Sequence, residues 1–488
     1  MRDETSPAGN RTRPLGTLAV ALLASAAGVG WTRWCWRSAN APQPELLAAL
    51  KARRSPTPAS ATPPSRVLVV VIDGLGYDPA GVVDLGGGRC WTARVDMGTP
   101  TLSRPDYHVI LTGIPQRAAG IMNNAHQGVA RADTLAARVR SQGGRVAWAL
   151  NGVTWFHDLA GAPRDRLHFS ESARAAAEDL LRGWREGASF GVLHLMAVDD
   201  AGHERGGASP EYADAARRMA SVVRDLRARL TDDTLVFVGA DHGHLPRGGH
   251  GGPEPAVRFT RWQAFHPRCS GRRPRDSGTI PAVDLAPTLA RSLGVSAPAL
   301  HLGTARAVEG GSDRRDPGAA LREEAYASTL RSLRRRRALL AVGSGLAVLA
   351  LAVQLGLRGA RRSRVLRAAL VPAGAVLGWV LWVPRPLSLS TMGSQNQFVR
   401  ESLRGMVLGA TLLALLSLRR EDSPRGALLA AVAGWAAVAA ATGGGLGGLH
   451  PTEAELVWVP AMGFLPVAVT MALAVERLWC HLRARYTR

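Results

Sequence analysis

The chain has 488 residues, a hydrophobic fraction of 46% and a formal net charge of +22, with Lys51 as its one lysine. Its length allows one large domain plus further elements, and the concentration of apolar residues toward the C-terminus excludes a plain soluble globule. The charge does not point to nucleic acid as a partner: the arginines gather at the edges of apolar segments, with no aromatic-interleaved basic stripe and no recognition-helix pattern.

Arg11 and Arg13 precede an apolar run at 15–31, which reads as a signal anchor or as a signal peptide cleaved near Ala24-Ser25-Ala26. The anchor is the favoured reading for residues 1–38, and either one exports the domain C-terminal to it. Residues 39–65 read as a linker, rich in Pro, Ser and Thr from 52 onward. Arginine in place of lysine, beside abundant Ala and Gly, points to a GC-rich bacterial coding sequence.

Residues 66–300 read as a globular domain. The run Arg66 to Ile72 is continuously apolar after its first residue, as a strand buried on both faces would be. Gly144 to Leu150, Phe190 to Met196 and Thr234 to Ala240 are similar. Pro210 to Leu230 has helical periodicity, opened by Ser209 as N-cap and Pro210 at the first helical position. Alternating strands and helices predict an α/β fold, a mostly parallel sheet sandwiched by helices. No cysteine pair has metal-site spacing, and Cys90 and Cys269 would form a disulfide if the domain lies outside the cytoplasm.

A polar connector at 301–337 leads to five apolar segments, at 338–357, 368–384, 403–418, 426–449 and 456–475. A bilayer core takes about 20 apolar residues, so 338–488 reads as a C-terminal transmembrane helical bundle. Arginine-rich loops follow the first, third and fifth segments, whereas 385–402 and 442–455 are poor in arginine. The positive-inside rule then predicts a multi-pass protein of the cell membrane, with its C-terminus cytoplasmic and the 66–300 domain extracytoplasmic. Arg334 to Arg337 is the exception to this alternation.

The chemistry lies at the strand ends. Asp73, Asp199 and Asp241 each follow an apolar run, and His203, His242 and His250 accompany them. In parallel sheets ligands bind beyond the carboxyl ends of strands. Three carboxylates and three imidazoles exceed the needs of one tetrahedral ion, so two divalent cations are expected, zinc or alternatively manganese. A hydroxyl-rich stretch, Thr99 to Asp106, follows the first Asp and reads either as a nucleophile loop or as a Pro/Ser turn. His108, His194 and His244 read as structural or supporting groups, and Tyr77, Tyr107, Asn123 and Trp155 are candidate pocket residues by sequence proximity.

These residues carry a resemblance. Asp73-Gly74, Ser103 ahead of Thr112-Gly113, Asp199 to His203, Asp241-His242-Gly243 and His250-Gly251 resemble, in order and spacing, the alkaline phosphatase superfamily. The similarity is to the branch of nucleotide pyrophosphatases/phosphodiesterases and glycolipid-anchor ethanolamine-phosphate transferases. It implies that Asp199, His203 and His250 hold one cation, and that Asp73, Asp241, His242 and the Ser103 oxygen hold the other. It also implies Ser103 as catalytic nucleophile, with Thr101 as fallback. Relatives often carry Thr as nucleophile and Asn three residues later. This chain has Ser103 and Asp106, leaving Arg104 and Asp106 as candidate substrate-binding groups.

The expected activity is a membrane-anchored two-metal phosphodiesterase or phosphohydrolase working through a phosphoseryl intermediate. Its substrate would be a phosphodiester, a phospholipid or a glycolipid, at the lipid bilayer. One alternative is a phosphoethanolamine-type transferase to a lipid or glycan acceptor. Another is a membrane scaffold or transporter with an inactive outer domain, against which the full ligand set argues. A sulfatase is disfavoured, because no Cys/Ser-x-Pro-x-Arg motif is present.

Overall fold

The computed structural model describes residues 44–52, residues 66–332 other than 82, 125, 127–132, 153–155 and 157–166, and the single residues 335 and 390. Asn40–Leu333 together with Ser388–Gln395 forms one compact unit. Its centre is an eight-stranded sheet of β1 (Arg66–Ile72), β2 (Arg89–Asp96), β3 (Val146–Asn151), β4 (Leu167–Ser170), β5 (Phe190–Leu195), β6 (Thr234–Gly239), β7 (Phe259–Phe265) and β8 (Arg275–Pro281). The spatial order is β4-β3-β5-β1-β6-β7-β2-β8. From β4 to β6 every pairing is parallel. β7 runs antiparallel to both β6 and β2, and β8 returns parallel to β2, so the sheet is mixed.

β1 shows why. Val67, Val69 and Val71 enter one core and Leu68, Val70 and Ile72 the other, as the period-2 alternation of a strand requires. A strand buried on both faces must be apolar throughout. Three helices supply residues to the first core: α1 (Ser103–Thr112), α2 (Leu135–Ser141) and, late in the domain, Leu285–Leu293. The second core takes residues from α3 (Ala173–Arg185), α4 (Ala197–Arg205) and α5 (Pro210–Arg227). The Ser209 hydroxyl caps α5 by accepting the Tyr212 N–H at 3.1 Å.

Packing extends past both ends of 66–300. Leu46 and Leu50, on a short helix at Pro44–Lys51, pack with Ile114, Ala118, Leu300 and Leu302. Arg306 pairs with Asp284, and the buried Arg322 donates to the His301 carbonyl at 2.8 Å and to Asp316 at 3.0 Å. Cys90 on β2 is disulfide-bonded to Cys269, just beyond β7, with the Cα atoms 5.3 Å apart. Among the described residues no helix is long and apolar enough to cross a membrane. The 15–31 run and the five apolar segments from 338 to 475 lie outside those residues.

Candidate metal centre

The adjacent strands β5, β1 and β6 deliver the three carboxylates to one edge. Asp73 is the residue after β1, its N–H bonded to the Leu195 carbonyl at the end of β5 at 3.0 Å. Asp199 lies in the first turn of α4, after β5, and Asp241 two residues beyond β6. Gly74 lets the first two meet. Its φ is +74°, and a Cβ there would lie 2.8 Å from the Asp199 Cα. Its N–H donates to Asp241 Oδ1 at 3.1 Å, tying the third carboxylate to the first.

The donors form two groups. Asp73, Asp241 and His242 make one, with His242 Nε2 lying 3.5 Å from Asp73 Oδ1 and 3.4 Å from Asp241 Oδ2. Asp199, His203, His244 and His250 make the other. Within each group the ligand atoms all lie within 4.8 Å of one another. His244 Nε2 is 2.8 Å and His203 Nε2 3.4 Å from Asp199, and the Nε2 atoms of His203 and His250 face each other at 3.1 Å.

The electrostatics of these groups call for cations. Burial, and then the neighbouring carboxylates, push Asp73 and Asp241 well above the usual Asp range. Buried Asp73 Oδ1 and Asp241 Oδ2 have no hydrogen-bond partner. Burial acts to raise Asp199 too, but hydrogen bonds from His203 and His244 bring it well below that range. Burial keeps His242 low and His250 at about 4, so both imidazoles stay neutral, as ligands must. Orphaned buried carboxylate oxygens beside the neutral His242 fit a divalent cation in the first group, and the convergence of one carboxylate and three imidazoles fits another in the second, where the Asp199 hydrogen bond raises His203.

Ser103 is the first residue of α1, and its Oγ lies 3.1 Å from His242 Nε2. Thr101 faces elsewhere. Its hydroxyl donates to the Gly252 carbonyl and accepts the Gly251 N–H, each at 2.9 Å, and its own carbonyl meets His250 Nδ1 at 2.9 Å. Thr101 therefore orients His250, and the structure does not bring it into the donor groups as a nucleophile. Arg104 and Asp106 are both buried at the start of α1. The Arg104 backbone N–H and Nη1 bond Asn124, at 3.0 and 3.4 Å, and Asp106 accepts from Gln116 at 2.8 Å.

Residues 151–249 match the family of type I phosphodiesterase / nucleotide pyrophosphatase. The chain thus carries a segment that matches a phosphodiesterase-type domain. The matched span holds Asp199, His203, Asp241, His242 and His244, while Asp73, Ser103 and His250 lie outside it. The catalytic subunit of a mouse GPI ethanolamine phosphate transferase 3 is 29% identical over 294 residues, which is 52% of this chain and 26% of the relative. A GPI ethanolamine phosphate transferase 2 from Aspergillus fumigatus is 26% identical over 282 residues, 49% of this chain and 36% of the relative. The chain thus spans about a quarter to a third of these relatives' length. The structure of murine ectonucleotide pyrophosphatase / phosphodiesterase 5 aligns with TM-score 0.38 and 14% identity over 48% of this chain and 96% of that one.

The site has supports that the sequence alone did not place. His244 is a member of the Asp199 group, and a Cβ on Gly202 would lie 2.4 Å from its ring. Its signal was the every-second-residue spacing of His242 and His244. Tyr107 reaches under the site, its hydroxyl donating to Asp73 Oδ2, and His194 Nε2 meets the same oxygen at 2.9 Å. The Asn151 carbonyl fixes the other His194 nitrogen at 2.8 Å. Tyr77 sits apart, under the guanidiniums of Arg94 and Arg261. Asn123 accepts the His126 N–H with its carbonyl, and Trp155 lies outside the described residues.

Proposed function

We propose that the domain cleaves a phosphodiester with Ser103 as nucleophile and two divalent cations, zinc in the first place, and passes the phosphoryl group on to an acceptor. The observation that carries this reading is the 3.1 Å approach of Ser103 Oγ to His242 Nε2, inside the Asp73–Asp241–His242 group. Asp73, Asp241, His242 and Ser103 would hold one cation, and Asp199, His203 and His250 the other, with His244 completing that group. Bound there, the cations would supply Lewis-acid stabilisation of charge on the reacting oxygens.

The residues do the rest. Ser103 Oγ attacks phosphorus and its proton passes to solvent. The bond to the leaving oxygen breaks, and that oxygen takes a proton from water. This leaves Ser103 phosphorylated. An acceptor hydroxyl then attacks phosphorus and releases its proton, the Ser103 Oγ–P bond breaks, and Ser103 Oγ takes up a proton to restore the serine. Asp106 does not oppose an incoming phosphate. Burial, and then the Asp241 charge, push its carboxyl well above the usual range, toward the neutral acid.

The acceptor is water in a hydrolase and a lipid or glycan hydroxyl in a transferase. The transferase reading has a specific support: the mouse and Aspergillus relatives are named as ethanolamine phosphate transferases. Membrane attachment and an extracytoplasmic domain are supported by the apolar segments, by the arginine alternation and by the Cys90–Cys269 disulfide. Detergent-purified full chain should release p-nitrophenol from bis-p-nitrophenyl phosphate with zinc but not with chelator. Labelled phosphatidylethanolamine then separates the acceptors: free ethanolamine phosphate marks a hydrolase, and label moved onto added glycolipid marks a transferase. Chelator-resistant turnover would refute the metal-dependent reading.

A further inference from the structure

Ser390 lies 138 residues beyond Gly252 in sequence, yet it is buried against the glycine loop that carries His250. Its Oγ accepts the Gly252 N–H at 2.8 Å and donates to Glu254 Oε2 at 2.7 Å. Its carbonyl oxygen would lie 2.0 Å from a Cβ placed on Gly249. Gly249 has φ +88°, so glycine is needed there for conformation and for this approach. In the sequence Ser390 falls between the second and third apolar segments, in a stretch the arginine alternation puts on the same side as the catalytic domain.

The contact runs on to the metal centre. Gly252 accepts the Thr101 hydroxyl with its carbonyl, and the Thr101 carbonyl holds His250 Nδ1. Three hydrogen bonds, joined through the covalent frames of Gly252 and Thr101, therefore lead from Ser390 to the imidazole whose Nε2 faces the Asp199 group. Partners that fix a ligand histidine's tautomer and orientation typically govern metal affinity by about 10–100-fold. Thr101 holds the loop at Gly251 and Gly252, and Ser390 holds it at Gly252.

We infer that Ser390 is a positioning residue for His250 and thereby sets cation affinity in the Asp199 group. The inference rests on the two-cation reading above. It links the strand-end chemistry to a residue far along the chain, so that the Ser390 contact and filling of the site depend on each other.

The test is zinc titration of the apo full chain in detergent against a chromophoric chelator, for wild type, Ser390→Ala, Ser390→Thr and His250→Ala. His250→Ala marks which step of the titration is the Asp199 group. That step should weaken by about 3- to 10-fold in Ser390→Ala, the low end because Ser390 acts through two intermediaries. The other step should hold, and Ser390→Thr, which keeps the hydroxyl, should restore wild-type affinity. Visible spectra of the cobalt(II) forms should shift in Ser390→Ala in the same direction as in a Thr101→Val control. An unchanged Asp199-group step in Ser390→Ala would overturn the role of Ser390 alone. Equal weakening of both steps with a lowered Tm would overturn it too, by showing a general loss of structure. A wild-type chain that binds no zinc would refute the two-cation reading and this role with it.

Discussion

The imidazoles of His242 and His250 stack face to face, with centroids 3.7 Å apart and planes 13° from parallel. One ring belongs to each donor group, so the two candidate cation sites share a wall of two histidines. A proton on either ring would set a buried charge against the other. Burial, and then the neighbouring imidazole, hold His242 well below the usual value. The pair is therefore built to stay neutral and to offer lone pairs.

Zinc affinity should rise with pH, and Asp73, Asp241 and His203, the last raised by its hydrogen bond to Asp199, should govern the rise. His250, at about 4, contributes little above that value. Asp73 and Asp241 are raised well above the ordinary Asp value, chiefly by burial, and must lose their protons for a cation to bind. Proton and zinc compete, so affinity falls as pH falls through these raised values. Calorimetry in buffers of different ionisation heat should show proton release on zinc binding, larger at about pH 5 than at about pH 8. Release that is absent, or that grows with pH, would count against this assignment.

Gly202→Ala should destabilise the domain although it lies in a helix. Helix propensity alone favours alanine by about 1 kcal/mol. A Cβ there would meet the His244 ring at 2.4 Å, and overpacking of this kind typically costs about 1–3 kcal/mol. The clash should win, and zinc affinity should drop because His244 is displaced from Asp199. Urea denaturation and chelator competition read both effects. A stabilised variant with normal zinc binding would show that the ring moves aside freely.

Tyr107→Phe removes the hydroxyl that donates to Asp73 and leaves the His194 contact. Activity and zinc affinity should fall by about tenfold. Stability should change by only about 1 kcal/mol, the net contribution of one hydrogen bond. Loss of fold without a specific metal effect would assign Tyr107 to the core alone, where it stacks on Phe156 at 4.0 Å.

Reduction of Cys90–Cys269 removes a second kind of support. The bond spans 179 residues of sequence, and loss of a native disulfide typically costs about 2–5 kcal/mol. Oxidised protein should therefore unfold at higher denaturant concentration than protein held in reductant. Coincident unfolding curves would mean the bond is dispensable.

β1, β5 and β6 were legible because burial on both faces demands an unbroken apolar run, and the three carboxylates were legible because they follow those runs. β2 and β7 were not read as strands. Their apolar residues lie among Arg94, Arg258 and Arg261, whose guanidiniums lie over Phe259 or Tyr77. Ser103, placed by resemblance, lies beside His242. His194 and His244 were legible as supporting groups and Tyr107 as a pocket residue, but the partners of the supports were not. His244 meets Asp199 across 45 residues, Thr101 meets His250 across 149, and Ser390 meets Gly252 across 138. Beyond the every-second-residue spacing of His242 and His244, no local spacing records such contacts. They arise only when the sheet brings the strand ends together.

The most direct test of the central claim is to trap the serine intermediate. The zinc-loaded full chain is mixed with bis-p-nitrophenyl phosphate, quenched in acid during turnover, digested and analysed by mass. A p-nitrophenylphosphoryl group on the Ser103 peptide, absent in Ser103→Ala along with turnover, is the predicted result. Turnover that survives in Ser103→Ala, or an adduct on any other residue, would contradict it.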